Sequence, residues 1–205
     1  MNSDQRPILP ARTATIERST RETRISATLV LDGSGNTELH TGIGMLDHLL
    51  TALVLHAGFD CTLKCEGDLH VDDHHTAEDC GIVLGQLLDA ALGDRAGITR
   101  YGMAMAPLDE ALARTVVDLC TRPFFAGDLR LGSGTIGGLS CQNVAHVLSS
   151  MAVSARITLH VDVLKGVNDH HMAEAAFKSC ALALREAVAR SPSAAAAVRS
   201  TKGVL

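Results

Sequence analysis

Two hydrophobic periodicities take turns along this 205-residue chain. The segment RETRISATLVLD (residues 21–32) places apolar side chains at alternate positions, the pattern of a strand with one buried face. ARTVVDLCTRPFFAGDLRL (113–131) does the same in the second half of the chain. Elsewhere the spacing lengthens to three and four residues, so MLDHLLTALVLHAG (45–58) and CQNVAHVLSSMAVSA (141–155) predict amphipathic helices. Each leads into a short alternating run, FDCTLKCEG (59–67) or RITLHVDVL (156–164). A further helix follows in each case, HHTAEDCGIVLGQLLDAAL (74–92) and HHMAEAAFKSCALALREAVAR (170–190). Asp72 and Asp73, or Asp169, stand where the N-caps of these helices belong.

The order strands, helix, strand, helix thus occurs twice, over roughly 10–97 and 98–190. A turn signal recurs too, LVLDGSG at 29–35 and LRLGSG at 129–134, each closing an expected strand. Repetition without long parallel-sheet runs predicts an α+β fold of two duplicated halves, with helices on one face of each sheet. The closing SPSAAAAVRSTKGVL (191–205) reads by composition as a frayed tail.

Composition removes several function classes. With four Phe, one Tyr, no Trp, a net charge of −5 and no dense Lys/Arg stripe, the chain lacks both the stacking platforms and the electrostatic footprint of a nucleic-acid binder. No run approaches the roughly 20 apolar residues of a membrane span. The N-terminal MNSDQRPILPARTATIERS lacks the apolar core of a signal peptide. Six scattered cysteines without a CxxC pair read as reduced thiols, so a cytoplasmic protein is expected.

The chemistry concentrates in one short pattern present twice. His74-His75-Thr76-Ala77-Glu78 returns 96 positions later as His170-His171-Met172-Ala173-Glu174. A lone histidine precedes each unit at similar distance, His48 by 26 residues and His146 by 24. On a helix, residues four or three apart share a face, whereas neighbours diverge by about 100°. His74 or His75 can therefore converge with Glu78 on one ion, but the two histidines cannot easily do so together. A doublet with a Glu three further on implies two ions, each taking one histidine. The inventory is eight ligands, or four per ion. Six imidazoles and two carboxylates suit a borderline divalent cation such as Mn²⁺, Fe²⁺ or Zn²⁺, with octahedral Mn²⁺ leaving positions open for chemistry. A single histidine is more often a surface or core residue than a ligand, and His40, His56 and His160 are read that way. His70, Asp72 and Asp73 are expected to supply hydrogen bonds that orient the ligands.

At these residues the sequence resembles the imidazoleglycerol-phosphate dehydratase family of histidine biosynthesis. The matching stretches are RETRISATLVLDGSG, TGIGMLDHLL, GDLHVDDHHTAEDCGIVLG, ALGDRAGITRYG, PLDEAL, ITLHVDVLKGVNDHHMAEAAFKS, ALALREAV and the terminal STKGVL. They run in family order from about residue 12 to the end. The resemblance implies one domain of two superimposable halves, like the second domain of ribosomal protein S5, followed by a substrate-binding tail over 191–205. It implies two Mn²⁺ per active site and a homo-oligomer of 24 subunits built from trimers, with active sites between subunits. As ligands it implies His48, His74, His75, Glu78, His146, His170, His171 and Glu174. Of these, His48, His75, Glu78, His171 and Glu174 count with Glu22 as catalytic. Phosphate binding falls to Arg100, Arg122, Lys178, Ser200 and Lys202, with Glu22 also touching substrate. Two Arg and two Lys are what a phosphate dianion needs. Glu22 is expected on an amphipathic strand.

The implied reaction is metal-dependent dehydration of D-erythro-imidazoleglycerol phosphate to imidazoleacetol phosphate. The proton to be lost has no neighbouring carbonyl to acidify it, so a cation acting on the imidazole offers the easier route. Several positions depart from the family pattern: Gly44, Met45, Ala52, Cys120, Thr121, Val147, Leu148 and Thr201. None is an expected ligand; Ala52 stands where many members carry Gln. A dinuclear metallohydrolase acting on a phosphorylated small molecule would use the same histidines and carboxylates. A non-catalytic metal store would need neither Glu22 nor the cationic residues.

Overall fold

The computed structural model describes residues 11–191 and 198–203. The first half contributes β1 (Thr13–Ser19), β2 (Thr23–Val30), β3 (Thr37–His40), α1 (Gly44–Ala57), β4 (Asp60–Gly67) and α2 (His74–Leu92). The second contributes β5 (Tyr101–Leu108), β6 (Ala111–Asp118), β7 (Phe124–Asp128), β8 (Thr135–Ile136), β9 (Leu139–Ser140), α3 (Cys141–Ser154), β10 (Thr158–Lys165) and α4 (Asp169–Val188). Two four-stranded sheets result, ordered β1-β2-β4-β3 and β5-β6-β10-β7. Their pairings match strand for strand: two antiparallel ladders, then a parallel one between β4 and β3 or between β10 and β7.

Alternation decides which face is covered. Ile25, Ala27 and Leu29 of β2, and Cys61, Leu63 and Cys65 of β4, point into the core, while Arg24, Ser26, Thr62 and Lys64 face outward. In the second sheet Ala111, Ala113 and Val117, with Leu159, Val161 and Val163, do the same. The helices lie on those buried faces, and one hydrophobic core runs through both halves. Within it α2 packs along α3 and α1 along α4, so each helix pair joins the two halves.

Glycine makes one of these contacts close. Gly81 and Gly85 sit one turn apart on α2, against Val147, Ser150, Met151 and Ser154 of α3. A Cβ on Gly81 would stand 2.7 Å from the Val147 carbonyl oxygen. No side chain fits there.

Three expectations need correction. The long alternating segment 113–131 is two strands, since the chain turns at Thr121 with a φ of 61° between β6 and β7. LVLDGSG and LRLGSG are not equivalent: the first follows β2 and the second follows β7, whose counterpart in the other sheet is β3. The N-cap of α4 is Asn168, whose side chain accepts from the backbone N–H of His170 and His171 at 2.9 and 3.3 Å. Asp169 instead accepts from the Gly132 N–H at 3.1 Å.

Candidate metal centres and anion cleft

The HHxxE units open α2 and α4, and helical geometry sorts their histidines. His74 and Glu78 lie one turn apart on the face of α2 turned toward α3, which brings in His146. His170 and Glu174 lie one turn apart on α4 and meet His48 of α1. In each trio one nitrogen or oxygen from every residue lies within 4.8 Å of the others. His146 Nε2 is 3.1 Å from Glu78 Oε1, and the His74 and His146 rings stack at 4.9 Å. Across the molecule His48 Nε2 is 2.9 Å and His170 Nε2 3.3 Å from Glu174 Oε2. Six of the eight expected ligands thus gather as two trios, each combining both halves of the chain.

The other two, His75 and His171, turn away from the trios of their own chain. A carboxylate meets each at Nδ1: Asp68 at 3.0 Å from His75, Glu110 at 2.7 Å from His171. These contacts raise the pKa of both imidazoles. Donation from His171, with the Asn168 backbone N–H, draws the Glu110 carboxyl down to about 2. Asn143 plays the matching part for His74, its carbonyl oxygen 3.1 Å from Nδ1. A partner at Nδ1 orients the ring and leaves Nε2 free for an ion, so the donor set fits a divalent cation well.

These orienting groups are not the expected ones. His70 is exposed at the surface. Asp72, one residue before Asp73 at the N-cap of α2, accepts from the His74 N–H at 2.8 Å. Asp73 accepts from the Ser140 N–H and hydroxyl at 2.6 and 2.8 Å, tying the starts of α2 and α3 together. Asp68, Glu110 and Asn143 carried no signal of their own, although Glu110 belongs to the quoted PLDEAL. Glu22 lies in the β1–β2 turn, one residue before the strand on which it was expected. Its half-exposed carboxylate stands 3.7 Å from His75 Nε2.

A second feature is a cleft of about 860 Å³ lined by Arg100, Tyr101, Thr121, Arg122, Arg199, Ser200, Thr201 and Lys202. Four of the five residues expected to bind phosphate are therefore together, and Arg199 joins them. Asp118 holds the Arg100 guanidinium with two bonds of 2.7 and 3.1 Å. A third, from Nη1 to the Arg199 carbonyl, anchors the tail. Arg100 and Thr121 both have positive φ, 77° and 61°, a strained backbone of the kind that gathers at binding sites. The fifth residue, Lys178, lies elsewhere, pairing with Glu174 Oε1 at 2.6 Å. Burial raises the Glu174 pKa, but Lys178 and His48 outweigh it and bring the carboxyl down to about 2. No helix among the described residues is long and apolar enough to cross a membrane.

A duplicated α+β frame with two imidazole–carboxylate trios and a basic cleft defines a class, proteins suited to hold metal ions and an anionic ligand together. Comparison with known proteins narrows it. The family model for imidazoleglycerol-phosphate dehydratase matches residues 41–184. A protein of that name from Phaffia rhodozyma is 50% identical over 96% of this chain and 98% of its own length. One from Cereibacter sphaeroides is 51% identical over 95% of this chain and its full length. The crystal structure of the Pyrococcus furiosus dehydratase superimposes with a TM-score of 0.80 at 35% identity, covering 93% of this chain and all of that one. The chain belongs to the imidazoleglycerol-phosphate dehydratase family, and as an enzyme it is a hydro-lyase.

Proposed function

We propose that this chain dehydrates D-erythro-imidazoleglycerol phosphate to imidazoleacetol phosphate in histidine biosynthesis, with two Mn²⁺ per active site, in the cytoplasm. The observation that carries this reading is the presence in one chain of two metal-suited trios and a cation-lined cleft. His74, Glu78 and His146 would hold one ion, and His48, His170 and Glu174 another. His75 and His171 face away from both trios, which suits donation of a fourth ligand to a neighbouring copy. A homo-oligomer with sites between subunits follows, in the family's form 24 chains built from trimers. When bound, the divalent cation supplies an electrophile that draws charge from the substrate's imidazole and eases loss of its ring proton.

The remaining work falls to the chain's own side chains. Arg100, Arg122, Ser200 and Lys202 grip the phosphate dianion through charge-assisted hydrogen bonds, and Lys178, which lies apart from them within one chain, reaches it from a neighbouring copy. In this reading the tail binds substrate; 192–197 and 204–205 lie outside the described residues. Its described residues 198–203 reach the cleft through Arg199, Ser200, Thr201 and Lys202. The hydroxyl leaves as water with the proton that the ring gives up, Glu22 Oε1 takes the proton from the neighbouring carbon and passes it back to the ring, and the enol left behind becomes the ketone. Asp68 keeps the neighbouring His75 ring in place.

Incubating the Mn²⁺-loaded protein with imidazoleglycerol phosphate should yield imidazoleacetol phosphate without free phosphate. Release of inorganic phosphate would favour a metallohydrolase instead. Glu22→Gln should keep its metal and lose turnover by about 10²- to 10⁴-fold, the usual contribution of a general acid–base group. Near-normal turnover would remove Glu22 from that role.

A further inference from the structure

The two trios come from a duplication, yet their surroundings differ at two corresponding positions. Three residues before each lone histidine stands Asn143 in α3 and Met45 in α1. Asn143 is 1% exposed, accepts from His74 at Nδ1 and also faces Asp73, which Ser140 holds in turn. Burial and the bond at its carbonyl oxygen hold the His74 ring in one orientation, although the Asn143 Nδ2 has no hydrogen-bond partner among the described residues. Met45 offers no such acceptor, and among the described residues nothing holds Nδ1 of His170. The second difference lies four residues after each Glu. Lys178 follows Glu174 and pairs with it at 2.6 Å, whereas Ile82 follows Glu78.

Resting on the metal reading above, we propose that the trios are inequivalent. His74, Glu78 and His146 take a divalent cation more tightly and fill first; His48, His170 and Glu174 fill later. Both differences act in the same direction. A ring already held in its binding orientation loses less freedom when an ion arrives. An ammonium ion-paired with the Glu174 carboxylate repels an incoming cation and shares the charge that would attract it. Glu78 has no lysine beside it.

The test is a Mn²⁺ titration of the metal-stripped full chain, with free Mn²⁺ counted by its electron paramagnetic resonance signal. Two classes of site should appear, their affinities at least about tenfold apart. Asn143→Leu should weaken the tight class alone, by about 10- to 100-fold, the usual effect of removing a group that orients a ligand. Lys178→Met should strengthen the weak class alone, and because Lys178 is partly exposed this variant stands if the buried Asn143→Leu does not fold. Glu78→Gln should abolish the tight class and Glu174→Gln the weak one. Two equal classes, or loss of the tight class in Glu174→Gln, would overturn the inequivalence and leave the metal reading standing. Absence of any Mn²⁺ binding would overturn both.

Discussion

Replacing Gly85 by alanine tests whether the α2–α3 contact sets the geometry of the His74–Glu78–His146 trio. An added Cβ would lie 2.7 Å from the Ser154 Cβ and 2.8 Å from the Ala155 backbone nitrogen, with the Met151 carbonyl oxygen nearer still. Two of these three neighbours are backbone, so no rotamer change relieves the clash and the helices must separate. Overpacking of this kind costs about 1–3 kcal/mol, and a site bounded by backbone belongs in the upper half of that range. Alanine's better helix propensity returns about 1 kcal/mol. The net loss is about 1–2 kcal/mol, which for a chain of this size lowers Tm by about 2–8 °C. Urea denaturation of the metal-stripped protein would measure the loss. A Mn²⁺ titration would then show weaker binding at this trio, because His146 rides on α3 while His74 and Glu78 ride on α2. Gly44→Ala is the control, since nothing lies within 4 Å of a Cβ at that position. A Gly85→Ala protein as stable as the parent, with unchanged Mn²⁺ affinity, would refute the claim that this contact sets the site.

Three further outcomes follow from local features. Gly44→Pro should stabilise the protein by about 0.4–1 kcal/mol in thermal denaturation, because proline suits the first turn of a helix and Ile43 before it already has an extended backbone, φ −116° and ψ 102°. Burial pushes the Cys61 and Cys180 thiols up to about 12, so neither should react with a thiol reagent at pH 8 until the protein is unfolded. The Arg12 guanidinium, with Arg190, holds the Asp32 carboxyl below its ordinary value. A depressed carboxylate stabilises the fold above its unfolded pKa of 3.8, and that contribution is lost as pH falls through the folded value. Asp32→Asn should therefore lower stability to urea at pH 7, and its gap from the parent should narrow below pH 3.8; a gap that stayed constant with pH would contradict the ion pair's role.

Where a property is periodic or local, residues announced it. Apolar spacing marks α1 to α4 because each buries one face against a sheet, and 100° per residue separates His74 from His75 in any helix. The Gly-Ser turns misled for the opposite reason. A turn signal marks where a strand stops, not which strand it is, and LDGSG and LGSG end strands that are not counterparts. The partners of the imidazoles were silent as well. Asp68, Glu110 and Asn143 lie 7, 61 and 69 residues from the histidines they meet. A single acid or amide in a loop or helix start has no pattern that periodicity could catch. Arg199 was hidden in a stretch whose composition suggested fraying, yet it lines the cleft beside Arg100.

The duplication hides one further relation, and it explains why neither half suffices. Within the sequence His48 stands closest to the unit at 74–78, and His146 to the unit at 170–174. Folding exchanges them: His48 goes to His170 and Glu174, and His146 goes to His74 and Glu78. The exchange follows from packing. Each sheet covers its buried face with its own two helices, and the outer faces of those helices must then find apolar surface of their own. Such surface exists on the other half, so α1 lies along α4 and α2 along α3. The side chains at those seams come from both halves by necessity. A half standing alone would keep an HHxxE unit without its third imidazole, and it would also expose the seam that Gly81 and Gly85 bring close. The trios therefore depend on the same contact that completes the core, which is why a glycine with no chemistry of its own bears on metal binding.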